Sequence, residues 1–140
     1  MTTPGTPLGG LGWILDENIL RLPRVHRALL LSADGLTAAA SRGVDRDMAD
    51  RLAAAVSGMQ ALSRQAAEFA NCQAAPWEQT MIQYADGYII VMAAGRSTYL
   101  AVSTERGADL EAVVFAMDKT IDRLGKEMHL AARDTAQATR

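Results

Sequence analysis

The chain has a single cysteine, Cys72, in 140 residues. That excludes an internal disulfide framework and any Cys-rich zinc site. Its two histidines, His26 and His129, stand far apart and leave little for a His-based metal centre. Charge of one sign is also lacking: 14 Lys and Arg face 16 Asp and Glu, for a net charge of −2. No basic excess points to nucleic acid or an anionic membrane. No apolar run approaches the roughly 18 residues of a membrane span. Met1 to Gly12 carries no basic segment followed by an apolar core, so no secretion signal is expected. A reducing cytoplasm is the expected location. Aromatics are scarce at 5%, yet 49% of residues are hydrophobic and 21% charged, a globular balance and not a disordered one.

Residues 1–10 hold two of the four prolines and three of the eleven glycines, and read as a flexible lead-in. From Leu11 to Leu22 apolar residues recur at spacings of three and four, which predicts a short amphipathic helix ended by Pro23. Val25–Ser32 and Leu36–Ser41 are apolar runs separated by Ala33-Asp34-Gly35. Asp-Gly between such runs is a hairpin signal, expected here as a type I′ turn. Residues 45–71 form one long helical pattern, with Asp45 as its cap and Asp47 in its first turn. This helix is rich in small residues. Residues 77–84 read as a strand, a second Asp-Gly pair (Asp86-Gly87) turns into the apolar strand Tyr88–Ala94, and Gly95-Arg96 turns into Ser97–Ser103. A last helix follows Asp109, with fraying expected after Arg133. The order α-β-β-α-β-β-β-α predicts an α+β fold of helices on a mostly antiparallel sheet. The expected organisation is a lead-in at 1–10, one domain at 11–133 and a frayed tail at 134–140.

Catalytic motifs are absent. There is no phosphate-binding G-x-x-x-x-G-K-[ST], no G-x-S-x-G, no H-E-x-x-H and no C-x-x-C. His26 reads as a surface histidine beside Arg24 and Arg27, and Cys72 as a small buried filler. The dispersed methionines read as packing. No catalytic, cofactor-binding or metal-binding residue is expected. Two features exceed ordinary packing. The long helix has more small surface than one sheet face needs, and strand 77–84 carries only one of the charges that normally protect an edge, Glu78, with Pro76 just before it. Together they predict self-association through Ala54, Gly58, Met59 and Ala61 on the helix and Trp77, Gln79, Met81 and Gln83 on the strand.

The opening LGWILDENILRLPRVHRALLLSADGLTAAAS and the hairpins DGYIIVMAAGRSTYLAV resemble the Roadblock/dynein-light-chain superfamily, and more closely its bacterial MglB-like branch found in actinobacteria. The likeness spans about Leu11 to Ala131. It implies a five-stranded antiparallel sheet with the long helix on one face and the two terminal helices on the other. It also implies a homodimer whose middle strands join the sheets while the long helices pack together. The implied partner is a small Ras-like GTPase, with a sensor-kinase-like protein as a further member of the complex. Asp47, Asp50 and Arg51 are the residues expected at the GTPase, and Arg51, Arg64 and Arg96 are candidates for an arginine finger. The competing reading is a small-molecule sensor of PAS or GAF type. A sensor needs an enclosed cavity with converging polar groups, whereas the Ala-rich, aromatic-poor composition predicts close packing without one.

Overall fold

The computed structural model describes residues 10–95 and 97–138, with side-chain surroundings as far as Glu127. Apart from Gly10, the expected lead-in therefore lies outside the described residues. Eight elements follow in the expected order: α1 (Gly12–Asn18), β1 (Val25–Ser32), β2 (Thr37–Ala40), α2 (Arg46–Ala66), β3 (Gln79–Gln83), β4 (Gly87–Ala93), β5 (Thr98–Glu105) and α3 (Leu110–Ala138). One sheet runs β2-β1-β5-β4-β3, antiparallel at every joint. The two hairpins are joined through β1 and β5, which pair from Val25 opposite Thr104 to Ser32 opposite Thr98.

Alternation along the strands builds a core on each face. On one face Leu30, Ile90, Leu100 and Val102 meet Ile14, Leu15 and Ile19 of the first segment and Val113, Met117 and Leu124 of α3. On the other, Leu29, Leu31, Val91 and Ala101 meet Ala49, Ala53 and Val56 of α2. Burying a Leu, Ile or Met side chain stabilises by about 1.5–3 kcal/mol. The terminal-helix core has many of these, whereas three of the seven buried residues on the α2 side are alanine. The α2 layer is the weaker of the two.

Element ends depart from expectation in instructive ways. The first helix stops at Asn18, whose side-chain Nδ2 donates to Ile14 O at 2.8 Å. The chain then unwinds over Ile19–Leu22 while Ile19 stays buried, so the apolar stripe outlasts the helix. α2 ends at Ala66, not at Asn71. Beyond it the turns tighten, with Phe69 N on Ala66 O and Asn71 N on Glu68 O, and Asn71 takes a left-handed φ of 58°. At three residues per turn the α-helical phase is lost, and Phe69 swings off the core to the solvent. α3 runs from Leu110 to Ala138.

Neither Asp-Gly pair makes a type I′ turn. In the first, Gly35 alone has a positive φ, 86°, and Gly35 N donates to Ser32 O at 3.0 Å while Ser32 N donates to Leu36 O. This is a type I turn followed by a left-handed glycine. In the second, neither Asp86 nor Gly87 has a positive φ. Gly87 is needed for another reason: a Cβ there would collide with the carbonyl oxygen of Thr104 on β5.

Asp45 caps α2 as expected, its Oδ1 accepting from Met48 N at 2.8 Å. Asp45→Ala is expected to lower stability by about 1 kcal/mol. A urea midpoint unchanged within error would show that the cap contributes nothing.

Candidate interaction surface

β3 is an edge. It pairs with β4 on one side, and among the described residues no strand lies on the other. Its main-chain N–H and C=O groups on that side are free to pair with another chain. Pleating sends its side chains to two different layers. Thr80 and Ile82 stand opposite Val91 and Ile89, which belong to the α2 core. Gln79 and Met81 stand opposite Met92 and Ile90, which belong to the terminal-helix core, and Gln83 stands opposite Tyr88. Trp77, just before the strand, closes the end of the α2 core. Its ring meets Tyr99 edge to face at 5.7 Å, and its Nε1 donates to Thr80 Oγ1 at 2.9 Å.

On α2, Ala54, Gly58 and Ala61 are exposed at spacings of four and three, one stripe facing away from the sheet. Asp47, Asp50 and Arg51 continue it toward the helix N-terminus and are likewise exposed. Met59 does not belong to it: it turns inward and packs on the α2 core. The eight residues expected to mediate self-association therefore do not converge. Ala54, Gly58 and Ala61 form one ridge, Met59 and Trp77 are half-buried beneath it, and Gln79, Met81 and Gln83 lie on the opposite side of the sheet.

Apolar side chains are exposed near these residues as well, and of them Leu62 and Phe69 were not singled out from sequence as surface. Leu62 near the end of α2 and Phe69 beyond it are 65% and 99% exposed, and Met81 and Tyr84 on β3 and its turn are 42% and 54% exposed. Phe69 keeps the helical spacing of a core position within the 45–71 pattern, a signal that fails where the helix tightens. Met81, read both as packing and as part of the self-associating strand, is open for a simpler reason: α1 and α3 do not reach over the β3 edge far enough to bury it.

A family model for the Roadblock/LC7 domain matches residues 11–104. The chain belongs to the Roadblock/LC7 family. The match begins at α1 and ends within β5, so it includes both hairpins and α2 and stops short of α3. The fold of one Roadblock/LC7 domain from Streptomyces avermitilis superposes with a TM-score of 0.77 at 29% identity, covering 85% of this chain and 98% of that one. A second from the same organism is 34% identical, with a TM-score of 0.65 and coverage of 81% and 96%. MglB from Myxococcus xanthus shares the fold at 15% identity, with a TM-score of 0.73 and coverage of 92% and 95%. No functionally curated protein matches the sequence.

The titratable side chains His26, Arg51, Arg64 and Cys72 singled out in the sequence of this Roadblock/LC7 chain lie apart from one another. Among the described residues no group of three or more His, Cys, Asp or Glu side chains is placed to hold a metal ion. His26 is exposed on β1 with its Nε2 3.6 Å from Glu105. Cys72, expected to be buried, is exposed in the turn after α2, because that turn stands clear of the sheet. Arg51 and Arg64 are exposed on α2, and Arg96 lies outside the described residues. No helix among the described residues is long and apolar enough to cross a membrane.

The Roadblock/LC7 chain does contain a cavity, against the expectation of close packing. It is about 190 Å³, half open, and lies where Val44, Met48 and Leu52 pass over Leu29, Ile89, Ala101 and Ser103. The cause is the floor. Ala101 and Ser103 on β5 are too small to fill the space beneath the first turns of α2. Its walls are almost wholly carbon, and the converging polar groups that a sensor needs are missing.

Proposed function

We propose that the chain is a non-enzymatic homodimeric regulator that binds a small Ras-like GTPase and modulates its nucleotide state, as part of a signalling complex that includes a sensor-kinase-like protein. The observation that carries self-association is the open β3 edge beside a thinly covered α2 layer. Main-chain pairing of β3 with a second copy satisfies the edge. It also brings Thr80 and Ile82 of both copies beneath the α2 helices, whose Ala54, Gly58 and Ala61 permit close approach. Membership of the Roadblock/LC7 family supports both the dimer and the GTPase. A protein without reactive groups acts on a GTPase by holding the GTPase's own residues around the γ-phosphate, or by binding one nucleotide state better and shifting the population.

Asp47, Asp50 and Arg51 at the start of the α2 ridge are the proposed GTPase contact. Among the described residues none of the three lies within 4.0 Å of an opposite charge, so their charges are available to a partner. Reversing both acids, Asp47→Lys with Asp50→Lys, is expected to weaken GTPase binding about tenfold or more without changing the dimer. The measurement is a titration against the candidate GTPase loaded with GDP and with a GTP analogue. Binding in one state far above the other supports nucleotide-state regulation. Absence of binding in both states counts against the GTPase reading, and unchanged affinity in the doubly reversed variant reduces these residues to a solvated face.

A further inference from the structure

The half-open hollow beneath Met48 and Leu52 is not uniform. Among the described residues that line it, Arg27 is the one charged side chain and Ser103 the one hydroxyl. The Ser103 Oγ is buried with no hydrogen-bond partner among the described residues, a costly condition for a hydroxyl. We propose that the hollow binds a small aliphatic monocarboxylate of about four to six carbons. Arg27 and Ser103 hold its carboxylate, and its tail lies against Leu29, Met48, Leu52 and Ile89. This site goes beyond the regulatory reading and requires neither the dimer nor the GTPase.

The strand register gathers both polar groups at one end of the hollow. Arg27 stands opposite Ser103 where β1 pairs with β5. Directly opposed residues share a face of the sheet, with Cβ atoms about 5 Å apart. That face is the α2 side, because Ser103 also stands opposite Ile89, which packs on the α2 core. The Arg27 guanidinium is tethered at the start of α2, its Nε donating to Gly43 O at 3.0 Å. Among the described residues no carboxylate lies within 4.0 Å of it. Its two terminal nitrogens form a planar fork that matches a carboxylate. The Ser103 hydroxyl reaches the same anion by turning between staggered rotamers.

The remainder of the lining is hydrocarbon and thioether. Leu29 and Ala101, the next opposed pair on that face, lie about 7 Å farther along the strands. Met48, Leu52 and Ile89 supply the walls. An apolar cavity of roughly 150 Å³ accepts benzene, so the volume here, about 190 Å³, suits a short alkyl chain. The several converging polar groups that select a polar effector are missing. A ligand with one anionic head and an alkyl tail asks for none beyond Arg27 and Ser103, whereas a pure hydrocarbon would leave both of them unpaired.

The test titrates hexanoate into the full chain and follows the Met48 and Ile89 methyl resonances, both of which should shift and saturate. Arg27→Gln should weaken binding about tenfold or more. Ser103→Ala should weaken it severalfold while leaving the melting temperature unchanged or higher, since an unpartnered buried hydroxyl is removed. Ser103→Val fills the floor and should abolish the shifts while circular dichroism stays that of the parent. Hexanol, the same chain without the charge, should bind about tenfold more weakly than hexanoate. Equal binding of the two, unchanged affinity in Arg27→Gln, or shifts that are absent or never saturate overturn the inference and reduce the hollow to a gap in the packing. Any of these outcomes leaves the dimer and the GTPase reading standing, because each of those has its own measurement.

Discussion

The Gly58→Arg variant is expected to sediment as a folded monomer at concentrations where the parent chain is a dimer, with self-affinity reduced at least about a thousandfold. A Cβ at position 58 meets nothing within 4 Å, so an isolated protomer accommodates the new side chain without repacking. Replacing glycine in a helix interior even favours the helix, by roughly 0.5–1 kcal/mol. The dimer experiences the opposite effect. Helices pack at axial separations of about 8–10 Å, set by the side chains between them, and Ala54, Gly58 and Ala61 are the small residues on that ridge. An arginine at its centre forces the axes apart and leaves a charge to be buried at the contact. Far-ultraviolet circular dichroism checks the fold and sedimentation equilibrium checks the dimer. Met81→Lys is the informative companion. Its position opposite Ile90 places it on the terminal-helix side, away from the α2 ridge, so its effect should be clearly smaller. An unchanged dimer in Gly58→Arg would remove α2 from the interface.

Gly87→Ala is expected to cost about 3 kcal/mol or more of folding stability, a large fraction of the roughly 5–15 kcal/mol that holds a domain together. The melting temperature should fall by about 10 °C. The added Cβ would meet the carbonyl oxygen of Thr104 and crowd its carbonyl carbon. Both belong to the backbone of β5, the central strand that joins the two hairpins, so no side-chain rotation relieves the clash. Gly35→Ala supplies the contrast. Gly35 has open surroundings, its nearest neighbour being Ser57 Oγ at 3.9 Å, and a φ of 86°, so alanine there costs only the strain of left-handed backbone, about 1 kcal/mol. Thermal unfolding of the two variants side by side decides the matter. Equal losses would mean that turn conformation, not strand approach, selects glycine at both positions.

These two glycines show how far local pattern reaches. Asp34-Gly35 and Asp86-Gly87 mark both hairpins correctly, because a chain break between apolar runs is a local event. The reason for each glycine is not local. At Gly35 it is the dihedral angle, and at Gly87 it is a carbonyl brought up by a strand more than fifteen residues downstream. The α2 ridge is similar. The spacing of Ala54, Gly58 and Ala61 identifies one face of a helix, and the structure does place them on one face. The strand residues proposed as their companions were chosen by composition, and composition does not say which side of the sheet a side chain takes. Pairing of Met81 with Ile90 and of Ile82 with Ile89 decides that, and puts Ile82, not Met81, beneath α2. Phe69 carries the same lesson. Its spacing is that of a core residue, and only the tightened turn after Ala66 exposes it.

What the amino-acid sequence determined by itself was the order of helices and strands, the antiparallel hairpins and the cap at Asp45. All of these follow from periodicity and short-range chain geometry, which act over a few residues. The pairing of β1 with β5, the division of β3 between two layers, the exposed phenyl ring and the hollow beneath Met48 were decided only in the tertiary structure. Each depends on which distant backbone comes to lie alongside, and on how much volume the side chains between them leave unfilled.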